Sequence, residues 1–168
     1  MRKNQVKLVV TKYVDPFLNN DSDHEVIIGA YADSNHLGLA LIKAFVAIIG
    51  KGMLKSAVKR TNKYYKKIEE FYDESFGNEV YILCMNFGNE LQIFGAYTNQ
   101  SKLRKSYNIL LEEDERCSLT EEFPQKPVIY RMPINQFIAW KGTGCTDNSY
   151  LFYEQVENYQ ITIEDICD

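Results

Sequence analysis

The chain has 168 residues, of which 45% are hydrophobic and 13% aromatic, and its formal net charge is −4 at pH 7. This composition supports a hydrophobic core and excludes an intrinsically disordered chain, and the length suits a single compact domain over residues 1–168. The sequence opens without an apolar signal segment, and its longest apolar stretch is shorter than the about 20 residues that cross a bilayer. We therefore expect a cytoplasmic protein without a membrane partner.

The first part of the chain predicts two strands and a helix. Residues 6–14 and 25–32 contain the alternating Val, Ile and Tyr residues that are typical of strands. Residues 33–35, Asp-Ser-Asn, supply helix N-cap side chains. Residues 37–49 are apolar on almost every side, which is typical of a helix that is buried or that docks on a partner, and we favour burial. We expect this helix to lie at the centre of the fold.

A second helix is predicted over residues 53–76, and it carries the strongest functional pattern in the sequence. Lysines recur every four residues from Lys51 to Lys67 without an acidic residue between them, so a helix would present them as a slowly turning row. Cations with tyrosines among them suit a phosphate backbone with stacked bases. The alternative is a solvated helix that the acidic second half of the chain neutralises. The candidate binding residues, called the basic stripe below, are Lys51, Lys55, Lys59, Arg60, Lys63, Tyr64 and Lys67.

Residues 79–97 predict a β-hairpin with Gly88-Asn89 at its turn, because both residues tolerate positive φ. Leu103, Tyr107 and Leu110 then follow at helical spacing. The pattern of residues 26–31 recurs at residues 92–97 with one fixed offset. We interpret this as an internal repeat.

The repeat units are predicted over about residues 5–76 and 79–140. Residues 128–132 and 159–163 are interpreted as the third strands of the two units, with residues 141–168 returning as a strand to the first unit. The predicted fold class is α/β (α+β) of a two-layer kind. In it, antiparallel strands pack against helices and two pseudo-symmetric ββα(β) units form one domain.

The clearer second unit contains Val80-Tyr81-Ile82-Leu83 in its first strand, Gly95-Ala96-Tyr97 at the end of its second strand, and a helix from Asn99. In these residues it resembles a small uncharacterised domain of bacterial and phage proteins, of which the first unit is a weaker copy. The resemblance implies a fold but no activity. Function is therefore expected in the additions to it, which are the long helical region of the first unit and the loop at residues 141–149.

Catalytic, metal and cofactor sites find little support in the sequence. His24 and His36 have no paired cysteines beside them, whereas a structural zinc site needs four nitrogen or sulfur ligands. Cys145, in a glycine-rich loop, and Asp33 are the distant candidates for an enzyme. The other cysteines are far apart and are expected to be reduced, structural thiols. We predict no catalytic residue, no metal and no cofactor.

Charge is divided unevenly along the chain. Residues 1–67 hold 12 Lys or Arg and 5 Asp or Glu, whereas residues 68–168 hold 7 and 18. This polarity favours a small non-enzymatic binding or inhibitor protein, of the anti-defence type that phages and mobile elements encode, acting on a protein or nucleoprotein partner. The alternatives are a nucleic-acid-binding accessory protein that uses the basic stripe, and an enzyme whose site is not recognised.

Overall fold

The computed structural model describes residues 4–12, 25–49, 65–87, 90–117, 127–138 and 156–166. These residues form seven strands, two α-helices and two short 3₁₀ helices. In chain order the main elements are β1 (Gln5–Lys12), β2 (Glu25–Tyr31), α1 (Ser34–Ile49), β3 (Tyr65–Tyr72), β4 (Glu79–Phe87), β5 (Glu90–Tyr97), α2 (Gln100–Cys117), β6 (Val128–Pro133) and β7 (Gln160–Ile161).

The strands form two antiparallel sheets, with the orders β2-β1-β3 and β5-β4-β6-β7. The first strand of a hairpin lies inside each sheet, β1 in the first and β4 in the second, where β6 is the other inner strand. In each hairpin the register shifts once, beside Val9 in β1 and beside Leu83 in β4. Together with the two helices, this arrangement confirms the predicted α+β class. The turn predicted at residues 88–89 lies outside the described residues.

The second sheet is packed on both of its faces. Alternate residues of β4 point to opposite sides: Val80 and Ile82 join a cluster that includes Leu8 of the first sheet, whereas Leu83 joins a cluster with Leu103 of α2. One face of this sheet therefore meets the first sheet and the other meets α2. The predicted two-layer packing is not confirmed, and the pseudo-symmetry of the two units stays a prediction.

The helix predicted over residues 53–76 is wrong at its C-terminal end, where the chain forms strand β3. All eight residues of β3 pair with β1, and Lys7 faces Glu70 across the strands with Nζ 3.5 Å from Oε1. The lysine spacing is a local signal, and it is outweighed by the ladder that β1 offers. Residues 8–11 of β1 are fully buried, so the backbone N–H and C=O groups at both edges of that strand need hydrogen-bond partners.

The assignment of residues 159–163 as the third strand of the first unit needs correction. β3 takes that place beside β1, and β6 pairs with β4, whereas β7 pairs with β6 through Ile129 and Tyr130. The predicted return of the last strand to the first unit therefore does not hold for β7, which extends the second sheet. Periodicity identifies a strand, but it does not say which edge the strand joins.

Among residues 34–43 of α1, whose side chains the structure describes, one side of the helix packs on the core and the other is exposed. Ala40 is buried and Leu41 packs against the core, but Leu39 and Ile42 are 50% and 63% exposed. The prediction that this helix is buried on all sides is wrong at Leu39 and Ile42. Its N-cap is confirmed, since Asp33 Oδ1 accepts the Asn35 N–H at 2.7 Å.

Two glycines allow a tyrosine ring to fold back over its own strand. A Cβ on Gly29, which has a φ of 153°, or on Gly95 would overlap the hydroxyl group of Tyr31 or Tyr97, two residues later. The space above each strand end is thus filled by a tyrosine ring, and only glycine leaves room for it.

Residues 134–138 leave the second sheet after β6 and run along the outer edge of β2 in the first. The N–H groups of Asn135 and Ile138 donate to the carbonyl oxygens of Ala30 and Ile28, at 2.7 and 2.8 Å. Asn135 has a positive φ of 65°, and its Oδ1 accepts the N–H of Ala32 at 2.9 Å. Asn135 therefore turns the chain and forms hydrogen bonds with Ala30 and Ala32, the two residues on either side of the last residue of β2.

We expect Asn135→Ala to lower the free energy of unfolding by about 1–3 kcal/mol, because alanine disfavours positive φ and leaves the Ala32 N–H without its acceptor. Asn135→Gly should cost less, since glycine accepts the backbone angle and only the side-chain hydrogen bond is removed. Urea unfolding of the three proteins measures the difference. Equal stability of Asn135→Ala and the parent protein would contradict this role.

Candidate binding groove

The chain turns from β5 into α2 around a buried carboxylate that comes from the other sheet. Asp73 directly follows β3, and its Oδ2 accepts hydrogen bonds from the N–H and the hydroxyl of Thr98, at 2.9 and 2.8 Å. Its Oδ1 pairs with Nζ of Lys102 and accepts the N–H of Glu74 at 2.7 Å. All of these donors converge on one side chain, which is only 8% exposed.

The ionised form of Asp73 is stabilised by this arrangement. Burial by itself would raise the pKa of Asp73, but the hydrogen bonds from Lys102, Thr98 and Glu74 outweigh it and hold the pKa well below its usual range. The hydrogen bond to Asp73 also raises the pKa of Lys102. The pair is therefore charged at neutral pH, and both charges serve to join the first sheet to α2.

Helix α2 is positioned by its N-cap and by one apolar face. Asn99 Oδ1 accepts the N–H of Lys102 at 3.0 Å, and Leu103 is fully buried against the second sheet. Because residues three apart on a helix lie on the same side, this orientation places Lys102 and Lys105 together beside the outer edge of β5.

A groove of about 420 Å³ opens between the end of β3, the outer edge of β5 and the first turns of α2. Its walls combine aromatic rings with cationic and hydroxyl groups, and we call it the β5 groove. The residues that line it are Phe71, Tyr72, Asp73, Phe94, Gly95, Ala96, Tyr97, Lys102, Lys105 and Ser106.

Tyr72 is the most exposed ring of the β5 groove, with 64% of its surface accessible. Its hydroxyl accepts a hydrogen bond from Gln5 Nε2 at 3.0 Å and donates one to Glu70 Oε2 at 3.1 Å. An exposed aromatic ring that is already held in place loses little freedom when a partner packs against it. Tyr72 is thus a preorganised contact.

The described residues place no member of the basic stripe in the lining of the β5 groove. Lys51, Lys55, Lys59, Arg60, Lys63 and Tyr64 lie outside the described residues. Lys67 lies on β3, where its Nζ is 3.2 Å from Glu69 Oε1. Its position on a strand separates Lys67 from the helical row that the spacing predicts.

The other sequence candidates have structural roles or fall outside the described ranges. Asp33 caps α1, and the hydrogen bond from the backbone of His36 lowers the pKa of its carboxyl group. Burial raises the pKa of the Cys84 thiol to about 12, which makes it a poor nucleophile. His24 and Cys145 are not among the described residues, which contain no group of three metal-ligating side chains.

Sequence reasoning does not identify Asp73, Tyr72 and Lys105 as parts of one site. In the sequence, Asp73 is one of several acids at the end of a predicted helix, and nothing local distinguishes it from its neighbour Glu74. The available signal is the N-cap sequence Thr98-Asn99. That signal gives the start of α2 but not the partner that arrives from another sheet.

Comparison with protein-family models, curated proteins and solved structures gave no match to the chain. The resemblance to a small bacterial and phage domain is therefore untested. In the described residues no helix is long and apolar enough to cross a membrane.

Asp73→Asn should lower the free energy of unfolding at pH 7 by about 1–3 kcal/mol, because it removes a charge-assisted hydrogen bond from a buried site. The lowered pKa stabilises the folded state above the ordinary carboxyl pKa of about 3.9. This stabilisation is lost as the pH falls below that value. The gap between the two proteins should therefore shrink below about pH 4 in urea unfolding measured across the pH range, while Glu74→Gln serves as a control. A gap that does not change with pH would contradict the ion-pair explanation.

The basic stripe is tested by changing Lys55, Lys59 and Lys63 together to Glu. If the stripe binds phosphates, affinity for all nucleic-acid sequences should fall alike. The slope of log affinity against log salt should also flatten, by about 0.9 for each phosphate that the variant no longer neutralises on duplex DNA, or about 0.7 on a single strand. An unmodified protein without measurable affinity for DNA or RNA at low salt would exclude this use of the stripe.

Proposed function

We propose that the protein is a small non-enzymatic binding protein that holds a protein or nucleoprotein partner in the β5 groove. The preorganised ring of Tyr72 carries this proposal. Exposed aromatic side chains in concave sites are the residues that most often dominate the energy of protein association. The core of a protein interface is enriched in aromatic residues and depleted of most charged ones.

The charged groups of the groove agree with binding rather than with proton transfer. Asp73 is ion-paired with Lys102 and accepts a hydrogen bond from the backbone of Thr98. The pKa of Asp73 is lowered and that of Lys102 is raised, so both move away from neutrality. A general acid or base works best with a pKa near the operating pH. The groove therefore offers shape, aromatic surface and the exposed cation of Lys105.

Binding alone would inhibit the partner, because the surface of the partner that lies in the groove is no longer accessible to the partner's other ligands. The exposed cation of Lys105 favours an acidic group of the partner inside the groove, whereas the acidic balance of residues 68–168, with 18 acidic and 7 basic side chains, favours basic groups elsewhere on the partner. Origin in a phage or a mobile element stays a prediction from the sequence.

Tyr72→Ala tests the proposal against a matched aromatic control, Phe87→Ala. Phe87 is 47% exposed at the far end of β4 and does not line the groove. Tagged parent and variant proteins are used to capture partners from a lysate of the source cells, with and without nuclease, and the captured partner is then purified and titrated. We expect affinity to fall about 30-fold for Tyr72→Ala, as for the loss of an interface hot spot, and to remain for Phe87→Ala.

Two results would overturn the proposal. One is the absence of any partner that the parent protein captures and Tyr72→Ala does not. The other is capture of nucleic acid alone, without a protein whose retention depends on Tyr72, which would favour the nucleic-acid alternative. Turnover of a small molecule by the purified protein, abolished by Tyr72→Ala, would instead favour an enzyme.

A further inference from the structure

The outer edge of β5 is a strand edge that pairs with no other described strand. β5 lies at the end of its sheet, and its residues Phe94, Gly95 and Ala96 line the β5 groove. A strand edge presents a row of backbone N–H and C=O groups that an extended chain can bond to. The groove therefore contains a backbone surface in addition to its side chains.

In the first sheet, a strand edge of the same kind is already paired with an extended segment of the chain. β2 is also a terminal strand, and its outer edge is covered by residues 134–138. That segment donates N–H groups to Ala30 and Ile28, and its Gln136 carbonyl oxygen lies 3.2 Å from the hydroxyl of Tyr31. An extended segment thus uses two carbonyl groups and one tyrosine hydroxyl of this edge.

The same three groups are present on β5 without such a segment. Phe94, Ala96 and Tyr97 stand in the Phe/Ile-Gly-Ala-Tyr pattern where Ile28, Ala30 and Tyr31 stand in β2. After β3, however, the N–H of Glu74 bonds to Asp73 Oδ1. Within the described ranges, no hydrogen bond from residues after β3 reaches Phe94, Ala96 or the hydroxyl of Tyr97, and the groove opens there instead.

We propose that the β5 edge binds an extended, acidic peptide segment of a partner protein, which adds as a further strand and donates backbone N–H groups to Phe94 and Ala96. The inference rests on the proposed function and names its partner class. The Tyr97 hydroxyl bonds a peptide carbonyl, as Tyr31 does with Gln136. An acidic side chain of the peptide faces Lys105, because Asp73 already neutralises Lys102.

The ring of Tyr72 adds selectivity to this mode of binding. In an added strand, alternate side chains point to opposite sides. One set faces the walls of the groove, where the exposed ring of Tyr72 accepts an apolar group and Lys105 accepts an acid. Main-chain bonds then supply affinity and the side-chain positions supply specificity.

The test selects ligands from a displayed library of random twelve-residue peptides and titrates the best of them into ¹⁵N-labelled protein. We expect the selected peptides to carry at least one Asp or Glu and to shift the amide signals of Phe94 and Ala96. Methylation of the donating peptide nitrogens should weaken binding at least about tenfold, since it removes the hydrogen bonds without changing side chains.

Single-group variants with matched controls on α2 complete the test. Tyr97→Phe removes one hydroxyl and Lys105→Gln one charge, and each should weaken peptide binding by about 2- to 10-fold. Tyr107→Phe and Asn108→Glu make comparable changes on α2 outside the groove and should leave affinity unchanged. Circular dichroism and thermal unfolding show that each variant is folded.

The inference fails if the library gives no ligand, or if the selected peptides shift signals at another surface such as the exposed side of α1. It also fails if N-methylation has no effect, if an oligonucleotide displaces the peptides, or if Phe94 and Ala96 are already protected from exchange by the chain itself or by a second copy. A cellular partner could lose affinity for Tyr72→Ala but bind Tyr97→Phe and Lys105→Gln as tightly as the parent protein. That result would support the proposed function and exclude only the strand addition.

Discussion

The fold depends on two side chains that each leave one sheet and bond to the end of a strand in the other. Asn135 follows β6 and accepts the first N–H beyond β2, that of Ala32, whereas Asp73 follows β3 and accepts the first N–H beyond β5, that of Thr98. A backbone N–H at such a corner has lost its strand partner, and leaving it buried without an acceptor costs about 1–3 kcal/mol. Each sheet thus completes the hydrogen bonding of the other, which explains why the two small sheets pack together.

The two contacts differ in chemistry, and this difference produces the groove. Asn135 is neutral, takes a positive φ and leads the chain along the edge of β2, so that this edge is covered. Asp73 is charged, pairs with Lys102 and binds the neighbouring N–H of Glu74 itself. The chain after β3 therefore does not follow β5, and the edge between Tyr72 and Lys105 is left as a concave surface.

Local patterns predict the hairpin strands, the caps of both helices and the Gly-Ala-Tyr strand ends, because each depends on residues that are neighbours in the chain. The same kind of pattern wrongly predicts a helix at β3, since the four-residue spacing of lysines up to Lys67 is also local, whereas pairing with β1 joins residues about sixty positions apart. The site escapes prediction for the same reason. Nothing near Asp73 in the sequence indicates that Thr98 and Lys102 will surround it.

Amide hydrogen exchange of Ala32 and Thr98, followed by NMR, tests most directly whether the sheets complete each other. The hydrogen bonds to Asn135 and Asp73 should make both amides exchange only through global unfolding, with the same free energy as the buried amides of β1 and β4. Rapid exchange of either amide in a protein whose inner strands remain protected would contradict the account, because it would show that the sheets are stable without these contacts.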